Sequence, residues 1–362
     1  MASSPSSPLR LLFVAAAMSL VTASLVVSEG VAAYTTLSHN FFLHTRGQRR
    51  HNQSFSLHSN RSDDTPEDKS KPKVLVLGGS GFVGQHVTTA LRRKNIPFIA
   101  TRRSDKEKDD DTMITLDVTS ETATQQVIDL CTSNQITTII STIGSIFTED
   151  DYQVNVASGK IAIELQAIRS SSSQEDDNVQ QQQKVVVTNF VFIGNSNRIR
   201  NVCNSISNLQ EYGRGKEESE RLIQDAFQAV DDNGRVRHCI IRPTFIYGGD
   251  KFSVNPPRLP TKIGEIIEAF FGLYPIQSLC EILPDILGVV LEAPVNVETV
   301  ATATVNLVIG LEDSNSLDTN EDIIMAASRR YYGKCDIESE PAKTRREELK
   351  LCLSQHAKEY TP

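Results

Sequence analysis

The sequence contains no tryptophan, and none of its six cysteines forms a Cys-x-x-Cys pair. Such wide spacing argues against a metal centre or a disulfide framework and favours reduced, mostly buried thiols. Apolar content is ordinary at 39%, which fits neither a protein made mostly of membrane spans nor a disordered chain. The length, 362 residues, allows one large α/β domain and a smaller lobe. The cysteines are Cys131, Cys203, Cys239, Cys280, Cys335 and Cys352.

Acidic residues are absent from residues 34–62, which are instead rich in Ser, Thr, His and Arg. That composition is typical of a transit peptide. An apolar run, Leu11–Val27, precedes it and is followed by small residues up to Ala33, which predicts a signal peptide over residues 1–33. The two leaders in series predict a plastid reached through the ER. A mitochondrial leader, a secretory signal and a single membrane anchor are the alternatives.

In the rest of the chain, acidic residues outnumber basic ones. Removing residues 1–62 takes away five of 37 basic and one of 45 acidic side chains, so the net charge becomes −12. An acidic protein of this kind is not expected to hold nucleic acid through bulk charge. A small-molecule substrate is the expected partner, with no nucleic acid and no metal.

An apolar run ends in three glycines within KVLVLGGSGFVG, residues 73–84. Gly78 would turn the chain, Gly81 would let the backbone approach a pyrophosphate, and Gly84 would let the next helix pack closely. The first N–H groups of that helix would face the anion. This pattern predicts a dinucleotide site, with an ordinary strand-to-helix turn as the alternative. Its predicted cofactor-binding residues are Gly78, Ser80, Gly81, Phe82, Val83 and Gly84.

Strands and helices are predicted to alternate after this turn, which indicates a parallel, doubly wound α/β sheet, the Rossmann fold. The predicted strands are Val74–Leu77, Phe98–Thr101, Met113–Leu116, Thr137–Ser141, Phe190–Ile193 and Cys239–Ile241. A small, mostly helical C-terminal substrate lobe is expected to complete the fold.

Composition predicts the domain boundaries. Residues 34–72 are the transit peptide and a charged linker, 73–250 the NAD(P)-binding domain, 251–330 the C-terminal lobe and 331–362 a charged tail. The polar, low-complexity segment Ser170–Gln183 is predicted to be a surface insertion.

The end of the second strand bears on the choice of cofactor. Thr101, Arg102 and Arg103 occupy the place where a fold that prefers NAD usually has Asp or Glu. Guanidinium groups are planar and can bind a 2′-phosphate through two hydrogen bonds. NADP is therefore predicted, while the nearby Asp105 keeps NAD open.

Two further strand ends supply candidate cofactor contacts. Asp117, followed by Val118, could accept a hydrogen bond from the adenine amino group, and it could equally cap a helix. The fourth strand ends in small residues, where the backbone would pass the nicotinamide ribose. The predicted contacts there are Ser141, Thr142 and Ile143.

Tyr212 and Lys216 are four residues apart, so on a helix they share one face. A phenol titrates near pH ~10, and a neighbouring ammonium favours its charged form. The pair therefore suggests an acid–base residue with a lowered pKa, although a simple surface pair has the same spacing.

In this order the motifs GGSGFVG, LDVT, NVASGKIAIELQAI, YGRGK and RPTFIYG resemble the short-chain dehydrogenase/reductase superfamily. The similarity is to its extended and atypical branches, which include NAD-dependent epimerases and dehydratases, and it covers about residues 73–248. The string LEAPVNVETVATATVNLVIG is similar to a mitochondrial and plastid subgroup. That subgroup is related to the nucleotide-binding accessory subunit of respiratory complex I.

The resemblance implies roles for several residues. Tyr212 would be the general acid or base, Lys216 would contact the nicotinamide ribose and Asn155 would support the proton relay. Pro243 and Thr244, with Arg242, would lie beside the carboxamide end of the cofactor.

One departure from the family pattern affects catalysis. Active members place Ser or Thr at the end of the fifth strand to hold the substrate oxygen, whereas this chain has Gly194 and Asn195, with Ser196 late. Asn195 could donate through its amide, or Ser196 could take the place. A missing donor of this kind costs about 10²- to 10³-fold in rate.

Apolar residues recur at helical spacing between Leu259 and Leu291, and they form either core or an apolar substrate pocket. The main hypothesis is an NADP(H)-dependent oxidoreductase acting on an apolar organellar metabolite, with an epimerase or dehydratase as a related reaction. Peripheral association with a membrane or a complex is a further expectation. The alternatives are a non-catalytic NADP(H)-binding assembly factor and, third, a plastid RNA-processing factor.

Overall fold

A computed structural model describes residues 72–104, 112–171, 187–228, 236–250, 252–254 and 257–329. The predicted signal peptide, transit peptide and charged tail lie outside these ranges, as do Asp105, Cys335 and Cys352. The predicted surface insertion also lies outside them, apart from its first two residues.

Seven parallel strands form the main sheet, in the order β3-β2-β1-β4-β5-β6-β11. The predicted doubly wound α/β fold is therefore confirmed: the ends of the six predicted strands shift by at most two residues, and the seventh strand, β11, was not predicted. The strands are β1 Val74–Leu77, β2 Phe98–Arg102, β3 Met113–Thr115, β4 Thr138–Ser141, β5 Asn189–Ile193, β6 Arg237–Ile241 and β11 Ser316–Leu317.

Helices cover both faces of the sheet. Alternate residues of β1 explain this arrangement, because Leu75 and Leu77 join one core while Val74 and Val76 join the other. Helices α2, α3 and α5 pack on the first face, and α1, α9 and α10 pack on the second. Their bounds are α1 Phe82–Arg93, α2 Ala123–Asn134, α3 Asp151–Ser171, α4 Asn197–Ser205, α5 Gln210–Gln228, α9 Val297–Val308 and α10 Asn320–Ser328.

The chain reverses its winding direction between β1 and β4. These strands pair in parallel register from Val74 opposite Thr138 to Leu77 opposite Ser141. Strands added after β1 extend the sheet on one side as far as β3, and strands from β4 onwards extend it on the other. In open α/β sheets a ligand crevice lies at the carboxyl ends of the strands at such a point. The glycine turn follows β1 and lies at this crevice.

The C-terminal lobe contains short strands and three short helices. Strand β7 pairs with β10 in parallel, and β8 pairs with β9 in an antiparallel ribbon. These elements are β7 Ile246–Tyr247, β8 Ser253–Val254, β9 Pro257–Arg258, β10 Val295–Asn296, α6 Thr261–Phe271, α7 Tyr274–Ile282 and α8 Asp285–Leu291.

The apolar stripe of this lobe is divided between interior and surface. Ile267 and Phe271 are 6% and 4% exposed and belong to the interior. Ile282, Ile286 and Leu287 are more than half exposed. Within the described ranges, none of the helices has both the length and the apolar character required to cross a bilayer.

Candidate functional site

The glycine turn between β1 and α1 leaves no room for side chains at two positions. Gly78 has φ +78°, a conformation that favours glycine. A Cβ on Gly84 would lie 2.2 Å from the Gly78 carbonyl oxygen and 2.8 Å from the Gly79 Cα. The turn closes through a hydrogen bond from Gly81 N–H to that same Gly78 oxygen, at 2.9 Å. The backbone of the turn and the start of α1 are therefore in direct contact.

The amino end of α1 is available to an anion. Its N-cap residue, Gly81, provides no side-chain hydrogen bond, and the first turn has no acidic residue. Free N–H groups together with the helix dipole favour a negative group there. These features fit a dinucleotide diphosphate, whose approach requires bare backbone.

The end of β2 supports the turn and places an arginine beside it. Thr101 Oγ1 accepts a hydrogen bond from Gly78 N–H at 3.0 Å, so this predicted cofactor residue stabilises the turn. The largely exposed Arg103 guanidinium lies 3.8 Å from Asp117 and 3.6 Å from Asp150. Arg102, the last residue of β2, is adjacent.

Asp117 forms a local turn after β3. Its Oδ1 accepts hydrogen bonds from the Thr119 backbone N–H at 3.0 Å and from the Thr119 hydroxyl at 2.7 Å. The backbone bond is the main reason why the pKa of Asp117 is below its usual value. Val118, next to it, packs against the core that contains Leu75 and Leu77. The helix cap predicted as the alternative role of Asp117 is not formed, because α2 begins at Ala123 with Thr122 as its N-cap residue.

The end of β4 joins the glycine turn to the interior of the site. Ser141 and Ser158 hydroxyls are hydrogen-bonded at 2.6 Å. Thr142 Oγ1 donates to the carbonyl oxygens of Leu77 and Gly78 at 2.9 and 3.1 Å. These two residues therefore hold β4 against α3 and against the turn.

Lys216 on α5 is buried, with 7% of its surface exposed. Its Nζ donates to the carbonyl oxygens of Ile143 and Ile193, at 2.8 and 2.9 Å, and lies 4.9 Å from the centroid of the Phe192 ring. Burial lowers the pKa of Lys216 to about 7. The amine thus bridges the ends of β4 and β5.

Tyr212 lies one turn before Lys216 on α5, partly buried against β5. Its hydroxyl donates to Asn195 Oδ1 at 2.8 Å. Burial raises the pKa of Tyr212 above its usual value, which is opposite to the direction expected from the sequence. Desolvation of the phenol is the largest cause, and Lys216, whose own pKa is lowered to about 7, carries no charge in the range where the phenol titrates.

Asn195 has an unused hydrogen-bond donor. The residue is 7% exposed, and its Nδ2 is buried with no hydrogen-bond partner in the part of the chain that the structure describes. Buried polar atoms in proteins nearly always have a partner. The amide therefore holds Tyr212 with its oxygen and keeps its N–H₂ for another acceptor.

Ser196 is used differently from Asn195. It is the N-cap residue of α4, where its Oγ accepts from Ile199 N–H at 3.3 Å, and it lies 3.5 Å from Glu292 Oε2. Burial raises the pKa of the Glu292 carboxyl. Ser196 therefore links β5 to the C-terminal lobe.

The RPT segment, residues 242–244, follows β6 at the carboxyl edge of the main sheet. Arg242 is paired with Glu220 and Asp318. Pro243 accepts a backbone hydrogen bond from Ser196 N–H at 3.0 Å. The Thr244 hydroxyl donates to the Ala293 carbonyl oxygen at 2.7 Å.

Asn155 on α3 anchors the loop after β4. Its Nδ2 donates to the Ser145 and Asp151 carbonyl oxygens at 2.7 and 2.6 Å, and its Oδ1 accepts from Ser145 N–H at 3.4 Å. A Cβ on Gly144, in that loop, would lie 3.6 Å from Lys216 Nζ and 3.8 Å from Asn155 Oδ1. Asn155 therefore shapes the backbone around Lys216.

The lowered pKa of Lys216 predicts a pH-dependent stability. Between pH 7 and its ordinary value of 10.5, the unfolded chain binds a proton that the folded chain does not. The free energy of unfolding should therefore rise with pH over this range relative to Lys216→Met, which lacks the titrating group. Urea unfolding midpoints measured at pH 7 and pH 9.5 test this.

A matched control is Lys160→Met, because Lys160 is exposed on α3 and its amine donates to Gln153 at 3.2 Å. The free energy of unfolding of Lys160→Met should change with pH as that of the wild type does. Equal pH slopes for wild type and Lys216→Met would contradict the assignment.

The fold and the turn define a dinucleotide-binding α/β protein of the Rossmann type. A model of the NAD dependent epimerase/dehydratase family matches residues 74–269, slightly more than half of the 362 residues. The chain therefore belongs to that family, and the sequence resemblance to the extended branch of the short-chain dehydrogenase/reductase superfamily is confirmed.

Solved structures that are similar to this chain include epimerases and dehydrogenases. The UDP-Glc/GlcNAc 4-epimerase of Campylobacter jejuni is 16% identical, with a TM-score of 0.43, covering 71% of this chain and 84% of its own. A short-chain dehydrogenase from Streptomyces avermitilis is 15% identical, with a TM-score of 0.43, covering 79% and 97%. The UDP-glucose 4-epimerase of Thermus thermophilus, solved with NAD, is 15% identical, with a TM-score of 0.41, covering 71% and 82%. None of the curated proteins matches this chain.

Two contacts at the site have no signal in the sequence. Ser158, the partner of Ser141, lies within the NVASGK motif, but its spacing marks no function. Arg258 lies over the Phe82 ring, with 4.7 Å between the guanidinium carbon and the ring centroid, across 176 residues of chain. Only the arrangement of the lobe brings Arg258 to the glycine turn.

Proposed function

We propose that this protein is an NADP(H)-dependent oxidoreductase that transfers hydride between the nicotinamide and a carbonyl or alcohol carbon of an apolar metabolite. The family and the dinucleotide-binding fold are established above. The reaction, the choice of NADP and the substrate class are the proposal.

The observation that carries the proposal is a continuous set of contacts from the turn to Tyr212. Thr142 donates to Gly78, and the adjacent Ile143 accepts from Lys216. Lys216 also donates to Ile193 at the end of β5, two residues before the Asn195 that holds Tyr212. These contacts connect an acid–base residue, an amine and an anion-binding turn along the carboxyl ends of β1, β4 and β5.

The bound nicotinamide would supply the hydride. The chain supplies the proton: because burial raises its pKa, Tyr212 stays protonated at neutral pH and can donate to a carbonyl oxygen that gains charge. The free N–H₂ of Asn195 can donate to the same oxygen, as the family's Ser or Thr would. Tyr212 would give up its hydrogen bond to Asn195 Oδ1 as its single proton passes to the substrate oxygen, while the Asn195 N–H₂ would stabilise the charge on that oxygen. This arrangement favours carbonyl reduction.

NADP is proposed over NAD because Arg102 ends β2 and Arg103 follows it, where a 2′-phosphate would lie. An apolar substrate is proposed because the C-terminal lobe exposes Ile266, Leu279 and Ile282 rather than a set of basic side chains. The same exposed surface supports peripheral association with a membrane or a protein complex. We place the mature protein in a plastid on the basis of its leader composition alone.

The proposal is tested with the full chain. NADPH should be bound, as measured by its fluorescence, and consumed when quinones or apolar ketones are added. Asn195→Leu, a substitution of similar size, should lower kcat by about 10²- to 10³-fold with little change in NADPH affinity. Loss of NADPH binding in this variant, or an unchanged kcat, would contradict the oxyanion role.

A non-catalytic assembly factor is the second candidate. It is favoured by the exposed apolar residues on α7 and α8, where Ile282 is 80% exposed. Tight NADPH binding without turnover of any carbonyl in the panel would support it. The third candidate, RNA processing, would require the acidic mature chain to be retained on RNA at moderate salt.

A further inference from the structure

Arg258 lies beside the glycine turn although it belongs to the C-terminal lobe. It is the last residue of β9, and its guanidinium carbon is 4.7 Å from the centroid of the Phe82 ring. Phe82 is the first residue of α1, directly after Gly81. Stacking of this kind holds a guanidinium in place without neutralising its charge.

Arg258 has no counter-charge among the residues that the structure describes. Its Nε is buried without a hydrogen-bond partner, and no described carboxylate pairs with it. Two other arginines with low exposure, Arg200 and Arg242, both reach Glu220. A buried guanidinium N–H without an acceptor is costly, so this arrangement indicates that an anion completes it.

The backbone around Arg258 is fixed independently of any ligand. Leu259 accepts a hydrogen bond from Gly248 N–H at 3.0 Å, and Thr261 N–H donates to Gly249 at 2.9 Å. A Cβ on Gly248 would lie 2.4 Å from Val297 Cγ1 and 3.8 Å from the Phe82 Cζ. The segment that carries Arg258 is therefore docked closely against the start of α1.

We infer that Arg258 binds the diphosphate of the dinucleotide that the glycine turn receives. The inference rests on the proposed function. The turn itself, GGSGFVG, has no charged side chain and offers only backbone N–H groups and the Ser80 hydroxyl to a group with two negative charges. A guanidinium supplies the missing charge and can donate two parallel hydrogen bonds to phosphate oxygens. The C-terminal lobe would thus take part in cofactor binding.

Fluorescence titration of the full chain with NADPH and with NADH tests this inference. Arg258→Ala should weaken the binding of both nucleotides by the same factor, about 10- to 100-fold, because both contain the diphosphate. Arg103→Ala, by contrast, should weaken the binding of NADPH but not of NADH if Arg103 contacts the 2′-phosphate. Arg258→Gln, which keeps most of the stem, should give a loss similar to that of Arg258→Ala, and Arg258→Lys a smaller one.

A matched control is Arg92→Ala. Arg92 stacks on Phe98 in the same manner, 5.2 Å from the ring centroid, but in the last turn of α1. A helix of 12 residues is about 18 Å long, so Arg92 is far from the turn. Its substitution should leave both dissociation constants unchanged.

The outcomes separate this inference from the proposed function. If Arg258→Ala and Arg258→Gln bind both nucleotides as tightly as wild type, the inference is wrong and the proposed function stands. A loss confined to NADPH would assign Arg258 to the 2′-phosphate and overturn the diphosphate role. If the wild type binds neither nucleotide, the proposed function fails and the inference fails with it.

Discussion

Gly84→Ala is expected to abolish dinucleotide binding, with affinity for NADPH falling by at least about 100-fold. The new Cβ would lie 2.2 Å from the Gly78 carbonyl oxygen and 2.9 Å from the Gly78 carbonyl carbon. Both are backbone atoms of the turn, so no side-chain rotation can relieve the overlap. The turn and the start of α1 must separate, which displaces the N–H groups that receive the anion. Overpacking of this kind also costs about 1–3 kcal/mol of stability.

Two other glycines distinguish loss of binding from loss of stability. Gly272→Ala places a Cβ 2.9 Å from the Glu268 carbonyl oxygen at the end of α6, remote from the turn. It should lower the melting temperature and leave NADPH affinity unchanged. Gly81→Ala has only one close contact, 3.1 Å from Gly78 O, so it should fold normally but bind NADPH less tightly. If Gly84→Ala bound NADPH with wild-type affinity, the glycine turn would not be part of the binding site.

Much of this fold follows from local sequence pattern. The run Val74–Leu77 is fully buried, as a charge-free strand covered on both faces should be. The glycines mark the turn because backbone conformation and close approach depend on the residue itself. Strand order then follows from the βαβ alternation and its right-handed crossovers.

The chemistry of the site was less predictable, because it depends on which groups compete for each side chain. The spacing of Tyr212 and Lys216 placed both on α5, but it could not show that two carbonyls bind the amine. It also could not show that the phenol is desolvated, which is the largest cause of the raised pKa of Tyr212. The partner of the phenol, Asn195, comes from the end of β5 and is fixed only by the register of the sheet.

The same limit applies to contacts between the lobe and the sheet. Nothing in the sequence around Pro257–Arg258 indicates a neighbour at Phe82. The contact arises because the Gly248–Gly249 turn returns the chain to the start of α1. Residues separated by more than a hundred positions meet through tertiary packing, and single-sequence patterns carry no record of it.

Tyr212→Phe is expected to lower kcat by about 10³- to 10⁴-fold while the affinity for NADPH changes little. The substitution removes only the hydroxyl that donates to Asn195 at 2.8 Å, so the packing of α5 is retained. Loss of a positioned proton donor accounts for an effect of this size. Because the pKa of Tyr212 is raised, wild-type carbonyl reduction should not decline between pH 7 and pH 9 through loss of the phenol proton.

Tyr247→Phe is the matched control for this prediction. Tyr247 is 1% exposed, and its hydroxyl is hydrogen-bonded to Glu268 in the C-terminal lobe, away from Asn195. The control should therefore lose stability in a melting experiment and keep its kcat. If Tyr212→Phe retained turnover, the proton would have to come from another group. If both variants bound NADPH and the wild type reduced no carbonyl, the unused N–H₂ of Asn195 would be a feature of a binding protein, and the assembly role would be favoured.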